Sequence, residues 1–289
     1  MKALGGTPRL FDCFLFFREL DILEIRLTEL WDRVHRFVLI ESEMDFAGNA
    51  KPLYFAENRE RFAAFADKIE HIVVQDGPAD PGARFAVQHH QRDQALRGLG
   101  EAGPNDLTMI SDVDEIPKVE RLETACEAVS GGTAFALFRM PHHSMRLNLI
   151  HPGKIITGPR LVRARDFGRP HLVRRLKNAY WKSAPGWLDQ IPTRFNAWRA
   201  CGRPLARATI EDGGWHLSSV GTADFLDAKH RAFADDEIGM AENRTNAVLA
   251  EVEAARASVA ETFDLHRVSV ESLPQTVARD PARWAHIIE

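Results

Sequence analysis

Little in this sequence marks a specialised class of protein, and what is scarce narrows the field. Only 3 cysteines occur in 289 residues, and Cys13, Cys126 and Cys201 stand far apart with no Cys-x-x-Cys. That spacing supports neither a disulfide framework nor a thiolate zinc site, and it fits reduced thiols in a cytoplasmic setting. Long apolar runs are missing too. Leu10–Phe17 is short and interrupted by Asp12, so no secretory leader is expected, and no stretch approaches the ~18 apolar residues of a membrane span. Neither sign of charge dominates: 37 Lys and Arg face 41 Asp and Glu, a net charge of −4. A basic footprint for nucleic acid is therefore absent. No repeat, low-complexity tract or linker breaks the chain, which predicts a single domain over residues 1–289 with functional halves of about 8–118 and 119–289.

What is present is alternation. Leu10–Phe17 has the length of a strand, and Leu23, Leu27, Leu30 and Val34 then recur at helical spacing. His35–Glu41 reads as a second strand, Glu57–Phe65 as helix, Ile69–Val74 as strand, Pro81–Leu99 as helix and Asp106–Ser111 as a fourth strand. Such alternation predicts an α/β fold with a mostly parallel sheet flanked by helices. Ligands of such sheets bind beyond the carboxyl ends of the strands. Both Glu41–Glu43 and Asp112–Glu115 fall at strand ends of this kind. In the second half, Thr133–Met140 and Lys154–Val162 suggest strands of a smaller added sheet, and Thr222–Phe233 and Met240–Ser258 suggest helices.

The sharpest chemical signal is Asp112-Val113-Asp114-Glu115 directly after the fourth strand. Two carboxylates one residue apart suit Mg²⁺ or Mn²⁺, which take one or two protein carboxylates alongside substrate phosphates. A bare Asp-x-Asp also arises by chance in a chain of this length. Gly213-Gly214-Trp215-His216 adds an imidazole that either joins the same cation or is satisfied within a turn.

These segments carry a resemblance to glycosyltransferase family 17, the β-1,4-N-acetylglucosaminyltransferases that include the bisecting enzyme. Its motifs are matched by Arg18–Phe55, by MISDVDEIP (Met109–Pro117), by GGWHLSS (Gly213–Ser219) and by LPQTVARDPARWAHII (Leu273–Ile288). The resemblance implies a GT-A-type, Rossmann-like fold and an inverting transferase with a UDP-sugar donor and a divalent metal, Mn²⁺ or Mg²⁺. It implies metal contacts at Asp112, Asp114 and His216, and substrate contacts at Glu41, Arg92, Glu115 and Trp215. The family often places Asn after the arginine, where this chain has Asp93. The acceptor it implies is a hydroxyl of a glycan or glycolipid, and the absence of an anchoring segment points to a cytoplasmic enzyme with no integral membrane segment.

Inversion needs a base across the sugar from the metal. Asp212 is the preferred residue, ahead of Glu211 and of Asp236 or Glu237. The arginines between Arg160 and Arg175 either bind an anion or form a solvated basic face. His142, His143 and His151 read as ordinary strand and loop histidines, and Trp181, Trp187 and Trp198 as core or sugar-stacking rings. Two other classes remain in view: a non-catalytic sugar-nucleotide-binding protein, and a phosphohydrolase using an Asp-x-Asp nucleophile. The second fits poorly, because the motif follows the fourth strand and not the first.

Overall fold

The apolar run at the start of the chain becomes β1 (Leu10–Phe16), in which every residue is buried. A strand covered on both faces belongs at the centre of a parallel sheet. Parallel partners lie on either side of it, β2 (Arg36–Ser42) on one and β4 (Leu107–Asp112) on the other, and β3 (Ile69–Val74) continues beyond β2. The computed structural model describes residues 7–78, 85–176, 207–223, 225–227, 236–255 and 257–289, together with Phe195, Trp198 and Arg199, and within 236–244 the backbone alone. Trp181, Trp187 and Cys201 lie outside these residues, as do the side chains of Asp236 and Glu237.

The second half supplies β5 (Glu115–Pro117), β6 (Phe135–Met145), β7 (Leu149–Arg163), β8 (Arg207–Ile210), β9 (Gly214–Val220) and β10 (His266–Arg267). These strands build no separate smaller sheet. One sheet of 10 strands runs β3-β2-β1-β4-β7-β6-β9-β5, with β8 and β10 paired off this path. The reason is local: β4 has a free edge beside β1, and β7 takes it antiparallel from Leu107↔Arg163 to Ile110↔Arg160. Pro141 interrupts β6 at a register shift against β7, where a residue lacking an amide donor is tolerated.

Helix α1 (Leu20–Leu30) follows β1 and is buried on more than its predicted stripe. Leu23, Leu27 and Leu30 join Phe14, Phe37, Met109 and Phe138 in one cluster. Ile22 and Ile25 join Ile116, Trp215, Leu217 and Trp284 in another. A helix wedged between two cores holds its position firmly, and α1 is the element that later anchors the acidic segment. The helix expected over Glu57–Phe65 is instead a four-residue α2 (Tyr54–Glu57) followed by a 3₁₀ stretch over Arg59–Lys68. The long helix expected through Leu99 comprises α3 (Ala86–Asp93) and a 3₁₀ continuation over Gln94–Leu99. Helix α4 (Val119–Ser130) starts two residues past Pro117, and α5 (Pro170–Arg174) follows β7. The predicted Met240–Ser258 helix runs over Asp236–Ala255. Among the described residues no helix is long and apolar enough to cross a membrane.

Candidate active site

The parallel strands β1 and β4 end side by side, with Leu15 paired to Asp112. The chain then turns through Val113 and Asp114 and enters β5, which pairs antiparallel to β9 with Glu115 opposite His216. The Leu217 amide donates to the Asp114 carbonyl at 2.8 Å, tying the turn to β9. This close approach explains the glycine pair before Trp215. Gly214 has φ +151°, and a Cβ there would lie 2.1 Å from the Ile116 carbonyl oxygen. Only glycine lets β9 reach β5.

Asp114 and His216 are thereby brought together from distant parts of the sequence. The Asp114 Oδ1 and His216 Nε2 atoms lie 3.9 Å apart, with both side chains largely shielded from solvent. His216 also meets His142, Nδ1 to Nδ1, at 3.2 Å, and the His142 ring stacks on His151 with centroids 5.0 Å apart. His142 thus belongs to the site. Its only sequence signal was the His-His pair, which has no metal-ligand spacing. Burial, then the neighbouring His216, pushes the His142 imidazole down to about 3, so it is neutral at physiological pH.

Asp112 is placed differently from its partner in the motif. Its Oδ1 accepts from Arg92 at 2.9 Å and its Oδ2 from Arg174 at 3.1 Å. Burial alone would raise its pKa, but the charges of Arg92 and Arg174 outweigh that and hold the carboxyl far below the ordinary carboxylate range. Both Asp112 oxygens thus meet guanidinium groups, an arrangement the motif alone does not reveal. Arg92, on α3, sits at the site through this ion pair. Arg174 comes from the arginine-rich stretch, and its NH2 group also meets Glu115 Oε1 at 2.5 Å. Arg160 is buried beside it, donating to the carbonyls of Leu176, Thr157 and Gly158, and burial followed by repulsion from Arg174 brings its pKa down to about 9. The stretch thus divides. Arg160 and Arg174 turn inward, whereas Arg163 and Arg165 make exposed contacts with Ser130 and Asn105. Asp93, where the family often has Asn, accepts from the His171 amide at 3.0 Å and so fixes the start of the helix carrying Arg174.

Beneath the acidic turn lies a residue that sequence reasoning missed. Arg26 on α1 has no solvent exposure and forms an ion pair with Asp12, equally buried, at 2.6 Å. The same guanidinium donates to the carbonyls of Asp112, Val113 and Glu115 at 3.2, 3.2 and 2.8 Å, and to Ser111 Oγ at 2.7 Å. It fastens almost every residue of the Ser-Asp-Val-Asp-Glu segment by its backbone or hydroxyl. The available signal was Asp12 itself, a charge inside an apolar central strand, which has to find a partner.

Glu41, Glu115, Trp215 and Asp212 each have partners within the fold. Glu41 is wholly buried. Its Oε1 accepts from the Phe55 amide at 2.8 Å and its Oε2 meets His71 Nε2 at 3.0 Å, so it fixes the start of α2 and leaves no face for a ligand. Glu115 is 1% exposed and bonds Arg174 and the Asp112 amide. Trp215 packs in the second core with its Nε1 donating to the Ser272 carbonyl at 2.8 Å, so its ring serves as an anchor and offers no open stacking face. Asp212 lies on the exposed turn before β9, beyond the Lys118 end of the β5–β9 pairing, with both oxygens 2.7 Å from the Lys118 ammonium. It does not join Asp114 and His216. Glu211 is likewise exposed and pairs with Arg139.

The donor chemistry of the Asp114–His216 pair suits a divalent transition cation, because carboxylate oxygen and imidazole nitrogen together match Mn²⁺ better than Ca²⁺. Among the described residues no three His, Cys, Asp or Glu side chains are gathered to hold a metal ion. The pair therefore fits a cation that draws its remaining ligands from substrate phosphates and water, as Mg²⁺ and Mn²⁺ do in nucleotide sites.

Comparison with known proteins finds a family match for the first part of the chain. Residues 2–134 match the model of glycosyltransferase family 17, a span holding β1 to β5 and the Asp112–Glu115 segment. The resemblance read from the N-terminal motifs holds there, while the Gly213–Ser219 and Leu273–Ile288 segments lie beyond it. Among curated proteins, the chain is 31% identical over 108 residues to the human β-1,4-mannosyl-glycoprotein 4-β-N-acetylglucosaminyltransferase, covering 34% of this chain and 20% of that protein. The Rattus norvegicus protein of the same name matches with the same figures. The chain thus spans about a fifth of the length of the curated relatives it matches. A solved structure, the 4-diphosphocytidyl-2C-methyl-D-erythritol synthase from Anaerococcus prevotii, aligns over 83% of this chain and 99% of its own with a TM-score of 0.40 and 8% identity.

Proposed function

We propose that this protein is a metal-dependent inverting glycosyltransferase that moves N-acetylglucosamine from a UDP-sugar to a hydroxyl of a glycan or glycolipid. The observation that carries this reading is the meeting of Asp114 and His216 at the carboxyl edge of the sheet, within a chain whose first half matches the family. The donor sugar rests on the names of the matched relatives.

In this reading Asp114 and His216 hold the divalent cation, which when bound neutralises charge on a departing diphosphate. His142 holds His216 in orientation through the Nδ1 contact. Asp112 keeps Arg92 and Arg174 at the rim, where guanidinium groups suit phosphate oxygens. Arg26 holds the acidic turn rigid from below. An acceptor hydroxyl displaces the nucleotide in line at the anomeric carbon, and a carboxylate on the acceptor side takes its proton.

Thermal-shift measurements with UDP, UDP-N-acetylglucosamine and GDP-mannose, each with and without Mn²⁺, test this reading. Uridine nucleotides should raise the melting temperature only with the metal, since a ligand stabilises the state it binds. The Asp114→Asn variant should keep its fold and lose that response. A response to GDP-mannose alone, or an undiminished response in Asp114→Asn, would overturn the assignment.

A further inference from the structure

A cavity of about 340 Å³ opens beside the acidic turn, where the ends of β1 and β9 meet the C-terminal residues of the chain. Arg18 reaches it from the turn between β1 and α1, Asp21 from the first turn of α1, Tyr54 from α2, Thr222 and Phe225 from beyond β9, and His286 from the C-terminal segment. Its position follows from the strand register. Arg18 lies three residues past Leu15, the partner of Asp112, and Val220 lies four residues past His216 on β9. The cavity thus lies past the carboxyl ends of β1 and β9, on the edge of the sheet that also carries the acidic turn. Its walls share packing with that turn, because Ile22, Val220 and Ile287 belong to the cluster that also buries Ile116, Trp215 and Leu217.

The chemistry of the wall is specific. Two half-buried rings, Tyr54 and Phe225, flank the Arg18 guanidinium, whose carbon lies 5.5 and 5.2 Å from their centroids. Room for Phe225 is reserved by Gly221, where a Cβ would come 2.5 Å from the ring. A hydrogen-bonded polar group also lines it. Asp21 accepts from Arg61 at 2.5 Å and pairs with His286 at 2.8 Å. Burial pushes the Asp21 carboxyl up, but these hydrogen bonds outweigh it and hold the group below the ordinary carboxylate range. Glu19 and Asp21 balance Arg18 and Arg61, so the carboxylate and guanidinium charges of the walls cancel.

We infer that this cavity binds an uncharged pyranose, a deepening of the transferase reading on which it rests. A pyranose has apolar C–H faces for aromatic rings and a belt of hydroxyls that both donate and accept. Tyr54 and Phe225 match the faces, and the Asp21–Arg61–His286 group matches the belt by offering both acceptors and donors. A diphosphate is disfavoured by the two wall carboxylates and by the absence of net positive charge. The volume lies in the range of small-molecule sites. The same chemistry arises from the donor's sugar and from the acceptor's, and the two differ in what displaces them.

Saturation-transfer NMR with methyl β-D-glucopyranoside and N,N′-diacetylchitobiose tests the inference on the full chain. Ring protons of at least one glycoside should receive saturation from the wild type. The signal should fall several-fold in Tyr54→Ala and in Thr222→Trp, the latter filling the cavity from an exposed position at the loss of one long hydrogen bond, from the Phe225 amide to Thr222 Oγ1 at 3.5 Å. UDP affinity should stay within about twofold of wild type in both. Displacement by UDP-N-acetylglucosamine but not by UDP assigns the cavity to the donor's sugar, and survival of the signal beside UDP-N-acetylglucosamine assigns it to the acceptor. No transfer to either glycoside, an unchanged signal in Thr222→Trp, or displacement by UDP alone would overturn the inference. If UDP fails to bind the wild type while the glycoside signal persists and answers to Thr222→Trp, the transferase reading falls and the pyranose site stands.

Discussion

Replacing Arg26 by methionine removes the cation that pairs with Asp12 among the described residues, and the consequence can be worked out from the contacts. Both side chains are fully buried, and breaking such a pair by deleting one partner costs about 3–5 kcal/mol, because an uncompensated charge is left inside. The carbonyls of Asp112, Val113 and Glu115 lose their shared donor as well, though these losses are not independent and do not simply add. Against a total stability of about 5–15 kcal/mol, Arg26→Met should survive as a folded but weakened protein, melting roughly 6–10 °C lower. The double variant Asp12→Leu/Arg26→Met should behave differently. Replacing a buried ion pair by apolar groups of similar volume is often neutral or stabilising by about 1–4 kcal/mol, so the double variant should recover most of the lost stability. It cannot recover the acidic turn, whose carbonyls still lack a donor. Urea unfolding, read beside the Mn²⁺-dependent UDP response, should therefore separate the two roles: stability restored, nucleotide response still weakened. A single variant costing under about 1 kcal/mol, or a double variant with wild-type UDP affinity, would refute the claim that Arg26 positions the turn.

Other expectations follow from single contacts. Asp212→Asn removes an exposed ion pair with Lys118, so stability should change by only about 0.2–1 kcal/mol, and a larger loss on urea unfolding would contradict the exposure of that pair. Gly214→Ala drives a methyl group into the Ile116 carbonyl and strains a positive φ, which should cost about 3 kcal/mol or more, and a variant of wild-type melting temperature would count against the close β5–β9 approach. Burial pushes the Cys126 thiol up to about 11, leaving roughly one thiolate in 10³ at pH 8, so its alkylation by iodoacetamide should run about 10²-fold slower than that of an ordinary thiol near pKa 8.5. Mass spectrometry of the labelled peptide checks this, and rapid native-state labelling would contradict the burial.

Much of the architecture was legible before any fold was known, and the physics explains which parts. Hydrophobic periodicity is a local property, so β1 and β3 fell within a residue of expectation, whereas the helix after β1 ends at Leu30, four residues short of Val34. The Asp-Val-Asp-Glu segment was legible as well, because a polar cluster closing an apolar strand is written consecutively. Local pattern could not say which edge a later strand would join. The strands of the second half extend the first sheet because β4 presents an open edge, a fact about three-dimensional neighbours. The division of labour within the motif was equally hidden. Asp112 and Asp114 look alike in sequence, yet one is claimed by Arg92 and Arg174 while the other faces His216. Glu41 misled for the same reason, since a carboxylate at a strand end reads as exposed until α2 and His71 close over it.

The sequence by itself determined the α/β class, the place of the acidic turn and the absence of a charge or thiol framework, since all of these follow from the order of neighbouring residues. Tertiary structure alone decided that Arg26 grips the turn through Asp12 and the backbone, that two arginines from a basic stretch face inward, and that two aromatic rings from distant segments line one cavity. Those outcomes depend on contacts between residues up to some hundreds of positions apart, such as Arg283 with Glu24. Only the folded geometry brings such pairs within the few ångströms over which hydrogen bonds and close ion pairs act.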